Sequence, residues 1–139
     1  MANNRIKFAR CACPTRKGAA LLLAARADRV IRGADAQARY EAFLATELVP
    51  YIDAQYRTVA SQAGRAIGGI SQGGGFAAST ALRYPGVFGA VGALSAAFRG
   101  AAETESPQGA PPPFFYVSCG TAGSLLPLSQ QVVKLLRGR

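Results

Sequence analysis

The chain has 139 residues, half of them hydrophobic, and carries 16 Lys and Arg against seven Asp and Glu, a formal net charge of +9. This length predicts a single domain that can bury a hydrophobic core, and the hydrophobic content excludes an intrinsically disordered chain. No apolar run is long enough to cross a membrane as a helix, so no transmembrane segment is predicted.

The positive charge is concentrated in the first 39 residues, which hold nine Lys or Arg and two Asp. We interpret residues 1–34 as a basic N-terminal arm or leader and residues 35–139 as the folded domain. A basic segment can contact nucleic acid or anionic lipid. This one has Phe8 as its single aromatic residue and no recognised nucleic-acid-binding motif, so no specific nucleic-acid partner is predicted.

The apolar run at residues 18–25 has two interpretations that the sequence leaves open. It follows basic residues and precedes Ala25-Arg26-Ala27, a small-x-small cleavage pattern, so residues 1–27 would be a signal peptide of an exported protein. Alternatively, residues 19–25 form a buried strand. The compartment therefore stays unassigned.

The cysteines give no sign of a metal site. Cys11-x-Cys13 lacks both the usual metal-binding spacing and a second ligand pair, and the chain contains no histidine. Neither a metal nor another cofactor is predicted.

From residue 35 onward, helical and strand-like segments alternate. Asp35 fits an N-cap, and apolar side chains at helical spacing then predict a helix that Pro50 interrupts, with Glu41 and Glu47 off the apolar stripe. That stripe consists of Tyr40, Phe43, Leu44 and Leu48. Strands are predicted at residues 66–70, 87–94 and 114–119, helices at 72–84 and 126–137, and an exposed excursion at 99–113. The alternation predicts an α/β fold with a mainly parallel sheet and flanking helices.

The candidate catalytic residues lie between the strand predicted at 66–70 and the helix predicted at 72–84. Gly69-Ile70-Ser71-Gln72-Gly73 fits the pattern G-x-S-x-G, in which a serine sits on a strained strand-to-helix turn called a nucleophile elbow. The two glycines relieve crowding around that turn. Ser71 is the predicted nucleophile, and the backbone amide of Gln72 is the predicted donor to an oxyanion. The alternative is a structural serine in a glycine-rich turn.

Three further segments accompany this motif: ELVPYID at 47–53, YRT at 56–58 and RYPGVFGA at 83–90. With them the chain resembles the α/β-hydrolases known as putative serine esterases, a group that includes S-formylglutathione hydrolases, feruloyl esterases, enterochelin-esterase-like proteins and mycolyltransferases. The similarity covers residues 39–137. It implies a truncated α/β-hydrolase-like fold and hydrolysis of a small-molecule carboxylic ester through an acyl-enzyme on Ser71.

The chain departs from that group in its catalytic partners. A serine hydroxyl needs a base, normally a histidine oriented by a carboxylate, and the chain has no histidine. The position that resembles the family's acid holds Gly123, and Glu103 and Glu105 are the acidic residues that follow Ser71. Lys134 is the one lysine after Ser71, and a surface helix would leave it solvated.

Two classes of function follow from this composition. The first is a serine esterase that is weak or inactive as this chain, and the alternative is a non-catalytic hydrolase-like fragment that serves binding or scaffolding. In either case an incomplete sheet exposes edge strands and apolar faces, which predicts self-association.

Overall fold

The computed structural model describes residues 21–24, 33–98 and 112–137. Four parallel strands form a sheet in chain order: β1 (Leu21–Ala24), β2 (Arg65–Ile70), β3 (Ala90–Leu94) and β4 (Phe114–Ser118). Among the described residues, helical segments lie between β1 and β2 and between β2 and β3, and one more follows β4. The predicted α/β fold with a parallel sheet is therefore confirmed.

Strand β1 comes from the apolar run that had two interpretations. It pairs in parallel with β2, from Leu21 opposite Arg65 to Ala24 opposite Gly68. The sheet thus begins before residue 35, where the sequence placed the start of the domain. Residues 25–27 of the cleavage pattern lie outside the described residues.

One helical rod of three segments precedes β2: α1 (Ala34–Ala42), a π-helical segment (Phe43–Leu48) and α2 (Val49–Gln55). The predicted N-cap was wrong, because Gly33 caps α1 and Asp35 lies in its first turn. Pro50 does not stop the rod. It has no N–H and its ring crowds the carbonyl one turn back, and the widened π-helical turn directly before α2 accommodates both effects.

Helix α3 (Gln72–Arg83) is the most buried helix of the described chain, with every residue from 73 to 82 inaccessible to solvent or nearly so. It packs against β2, β3 and α1, and the ring of Phe76 lies 6.1 Å from that of Tyr40. A short 3-10 turn (Gln62–Gly64) leads into β2, and α4 (Leu126–Arg137) follows β4. None of the described helices is both long enough and apolar enough to span a bilayer.

The strand predicted at 87–94 starts three residues later than expected. Val87 donates its amide hydrogen to the carbonyl of Tyr84, which extends the turn after α3, and β3 begins at Ala90. Phe88 is nevertheless fully buried. Its hydrophobicity therefore reflects core packing from a turn rather than strand structure.

The two faces of the sheet differ in exposure. Ile67, Val91 and Val117 alternate onto one face and are buried in the core. The opposite face, here called the open face, presents Ile70, Leu94 and Tyr116, whose exposed fractions are 65%, 42% and 46%. Large apolar side chains on one sheet face are normally covered by another layer.

The position of Glu41 corrects another expectation of the sequence. It was predicted to lie off the apolar stripe of the helix, yet it is completely buried between α1 and α3. Gln37 Nε2 donates a hydrogen bond to its Oε1 at 2.8 Å, and Arg83 Nη1 lies 3.2 Å from its Oε2. The buried carboxylate thus connects the first helix to the C-terminal end of α3.

Candidate active site

Ser71 occupies the single-residue turn between β2 and α3. Its backbone has φ 55° and ψ −123°, a region that non-glycine residues rarely adopt, and the residue is solvent-exposed. Strand β2 ends at Ile70 and α3 begins at Gln72, so one residue reverses the direction of the chain. The hydroxyl therefore stands at the carboxyl edge of the sheet, where ligands of parallel α/β proteins generally bind.

The glycines around Ser71 are required by close backbone approach. A Cβ atom on Gly69 would overlap the carbonyl group of Gly73 and would lie 2.8 Å from the amide nitrogen of Gly74. A Cβ on Gly74 would lie 2.8 Å from Cβ of Ala96, and one on Gly75 would lie 2.6 Å from the carbonyl oxygen of Ala97. The first turn of α3 is thus packed against both β2 and the segment after β3.

Hydrogen bonds hold the backbone of Ser71 on both sides. Its amide donates to the carbonyl oxygen of Leu94 at 2.9 Å. Its own carbonyl oxygen accepts from the amides of Ala97 at 2.8 Å, Gly74 at 3.0 Å and Gly75 at 3.3 Å. These contacts offset the conformational cost of the positive φ, which is of order 1–3 kcal/mol for a non-glycine residue.

The amide of Gln72 is the first of α3. The first N–H groups of a helix have no acceptor within the helix, and they carry the positive end of its dipole. Gln72 directly follows the exposed Ser71, so this N–H group lies at the start of α3, next to the candidate nucleophile.

The described residues supply no obvious partner for the hydroxyl. Gly123, at the position that resembles the family's acid, lies in an exposed turn, and Lys134 is exposed on α4. Glu103 and Glu105 lie outside the described residues. Among the described carboxylates, Glu41 is paired with Arg83. Arg83 is the last residue of α3, so this pair lies at the opposite end of the helix from Ser71.

Asp53 forms side-chain contacts at the opposite end of β2 from Ser71. Its carboxylate accepts a hydrogen bond from Thr58 Oγ1 at 2.5 Å and forms an ion pair with Arg65, the first residue of β2. The Thr58 hydrogen bond, together with that of Arg65 and its charge, lowers the pKa of Asp53 against the opposing effect of burial. The motif segments of the resemblance include Asp53 and Thr58, and the structure shows that their contacts with each other and with Arg65 join α2 to the start of β2.

We expect Asp53→Asn to lower the free energy of unfolding by about 1–2 kcal/mol near pH 7. Since the folded-state pKa of Asp53 is depressed, its contribution is present above the unfolded-state pKa of about 3.9 and is lost as pH falls below it. The difference between wild type and variant should therefore shrink in urea titrations between pH 5 and pH 3. Asp35→Asn, at an exposed carboxylate, is the control, and an Asp53→Asn effect independent of pH would contradict the assignment.

Comparison with known proteins defines the class to which this fold and turn belong. The sequence model of the Esterase family, described as putative esterase, matches residues 16–111, more than half of the chain. The chain therefore belongs to this family, and the resemblance seen in its motifs is confirmed. The match also begins before residue 35 and so includes β1.

Among solved structures, the chain is similar to a ferulic acid esterase. The two are 46% identical over a region that covers 41% of this chain and 22% of the other, with a TM-score of 0.39. The matched region is thus less than a quarter of the length of that protein. The curated proteins contain no match to this chain.

Proposed function

We propose that the protein is a serine carboxylic-ester hydrolase by descent, with Ser71 as the acyl-accepting nucleophile and a small-molecule ester as substrate. The observation that carries the proposal is the strained, exposed backbone of Ser71 at the strand-to-helix turn of an esterase-family chain. Strained non-glycine residues persist where the surrounding structure fixes them, and they cluster at active sites. On this basis the turn acts as a nucleophile elbow, with Gly69 and Gly73 as its glycines.

In the proposed reaction, Ser71 Oγ attacks the carbonyl carbon of the ester and gives its proton to a base. The Gln72 amide donates to the oxyanion that forms on the carbonyl oxygen. Collapse of this intermediate breaks the bond to the alcohol and leaves an acyl group on Ser71, which water then hydrolyses.

The chain lacks the usual general base for the first step of this reaction. None of its 139 residues is histidine. Enzymes that lose a triad member keep a residual rate of about 10³–10⁴ over water from the oxyanion hole and binding alone. We therefore propose that turnover by this chain is weak or absent, although it retains Ser71 as proposed nucleophile and Gln72 as proposed oxyanion donor.

An external base provides the test, because Ser71 is exposed and a small molecule can reach it. We expect imidazole to raise the Ser71-dependent rate of p-nitrophenyl acetate hydrolysis by about tenfold, since general-base assistance is the missing contribution. The rate of Ser71→Ala at each imidazole concentration is subtracted, because imidazole itself hydrolyses the ester. Equal rates for the two proteins at every concentration would contradict the proposal.

The absence of histidine also favours a second function, a non-catalytic module that uses the esterase fold for binding or scaffolding. The two functions predict different behaviour of the same variant. A binding module retains its ligand affinity in Ser71→Ala, and its wild type shows no acyl adduct on Ser71. An esterase forms that adduct in wild type and loses its reaction with esters in Ser71→Ala.

We further propose that the protein self-associates through the open face. Leu94 and Tyr116 are both large and exposed there, and their burial against another copy would be favourable. Leu94→Lys combined with Tyr116→Lys should reduce the sedimentation coefficient at micromolar concentration to that of a monomer. Tyr56→Lys, at an exposed aromatic residue after α2, is the matched control. A wild-type protein that sediments as a monomer would contradict the proposal.

A further inference from the structure

Ser95 is the second non-glycine residue with positive φ in the described chain, with φ 44°. It directly follows β3, as Ser71 directly follows β2, and the preceding residues Leu94 and Ile70 are paired in register. The two strained serines therefore lie side by side at the carboxyl edge of neighbouring strands. Nothing in the G-x-S-x-G pattern requires a strained residue at this second position.

The turn at Ser95 brings the chain onto the start of α3. The Ser95 amide still donates to the carbonyl of Ser118 at 2.6 Å, so the strand pairing continues up to this residue. Beyond it, Ala96 is fully buried against Gly74, and the Ala97 amide donates to the carbonyl oxygen of Ser71 at 2.8 Å. An extended residue at 95 would carry the chain onward along β3 and away from this contact.

The contact between Ala97 and Ser71 also fixes the neighbouring N–H group. The Ser71 carbonyl and the Gln72 amide belong to one trans peptide, in which C=O and N–H point in opposite directions. Three amides hold the carbonyl towards the body of α3 and the Ala97 segment. The Gln72 N–H is thereby directed away from them, towards the exposed side of the turn.

We propose that Ser95 is a positioning residue of the esterase site: its strained turn places the Ala97 amide on the Ser71 carbonyl and so orients the Gln72 amide as oxyanion donor. This inference rests on the proposed function for its catalytic consequence. The positioning itself depends on backbone geometry and can be measured without any reaction.

The test compares side chains that tolerate positive φ with side chains that do not. Glycine adopts this conformation freely, alanine at a cost, and a β-branched valine least readily. In Ser95→Val we expect amide hydrogen exchange at Ala97 to become at least about tenfold faster, and the Ser71-dependent rate with p-nitrophenyl acetate and imidazole to fall by about tenfold. In Ser95→Gly, the exchange rate at Ala97 and the Ser71-dependent rate should both return towards the wild-type values. Ser95→Ala should give values between those of the glycine and valine variants, and it replaces Ser95→Val in the comparison if the valine variant fails to fold.

Ser61→Val is the matched control, because Ser61 is exposed and has an extended backbone with φ −141°. It should change neither quantity. An Ala97 amide that exchanges equally fast in wild type, Ser95→Ala and Ser95→Val would overturn the inference. If exchange responds as expected but wild type shows no Ser71-dependent reaction, the proposed esterase function fails while the positioning of the Ser71–Gln72 peptide by Ser95 stands.

Discussion

Gly69→Ala is expected to lower the free energy of unfolding by about 3 kcal/mol or more. The added Cβ would overlap the carbonyl group of Gly73 and press on the amide nitrogen of Gly74. Both are backbone atoms at the start of a helix that is buried along most of its length, so neither can move aside without displacing α3. A flexible side chain could rotate away from such a clash, but backbone cannot.

The measurement for Gly69→Ala is urea unfolding followed by circular dichroism, with Gly92→Ala as the matched control. Gly92 lies in the adjacent strand, and its added Cβ would meet no atom closer than 3.8 Å, an ordinary van der Waals distance. We expect the control to change stability by less than about 1 kcal/mol. Equal stabilities for the two variants would show that the turn at Ser71 is looser than the close contacts of Gly69 indicate.

Arg83→Met should destabilise the protein by about 2–3 kcal/mol, because it leaves the buried carboxylate of Glu41 without its cationic partner. Glu41 has no exposed surface, whereas 52% of the Arg83 side chain is exposed. Water can therefore solvate the guanidinium but cannot reach the carboxylate. The remaining hydrogen bond from Gln37 does not neutralise the charge.

A double-mutant cycle identifies the origin of this loss. In Glu41→Gln combined with Arg83→Met, the buried charge and its partner are removed together, and most of the stability should return. If the double variant is as unstable as the sum of the single variants, then Arg83 stabilises the protein through the packing of its aliphatic stem and the ion pair is unimportant.

The sequence predicted the central part of the fold well, because there several local signals agree. The run before Ser71 is short and apolar, G-x-S-x-G marks the turn, and Pro85-Gly86 ends the helix, so β2 and α3 were placed nearly to the residue. The same pattern located the candidate site. The chemical role of Ser71 stays a prediction, since backbone geometry cannot show whether a hydroxyl reacts.

Other features depend on contacts between residues distant in the chain, which local patterns do not contain. The sequence pattern leaves Glu41 off the apolar stripe of its helix, whereas its burial depends on Arg83, 42 positions later. Phe88 led to the longer strand predicted at 87–94, because a buried residue before a strand has the same hydrophobic character in the sequence as a buried residue within it. The positive φ of Ser95 could not be predicted, because residue 95 is neither glycine nor asparagine, the residues that usually adopt this conformation. It depends on the packing of residues 96 and 97 against α3.

The central claim is that Ser71 accepts an acyl group, and intact-mass spectrometry of the protein after brief exposure to p-nitrophenyl acetate tests it most directly. We expect wild type to gain the mass of one acetyl group, with peptide mapping that places it on Ser71, and to lose it slowly because deacylation also needs a base. Ser71→Ala should gain no adduct at that peptide. A wild-type protein that remains unmodified at Ser71, even with imidazole present, would contradict the claim and would assign this chain to the non-catalytic function.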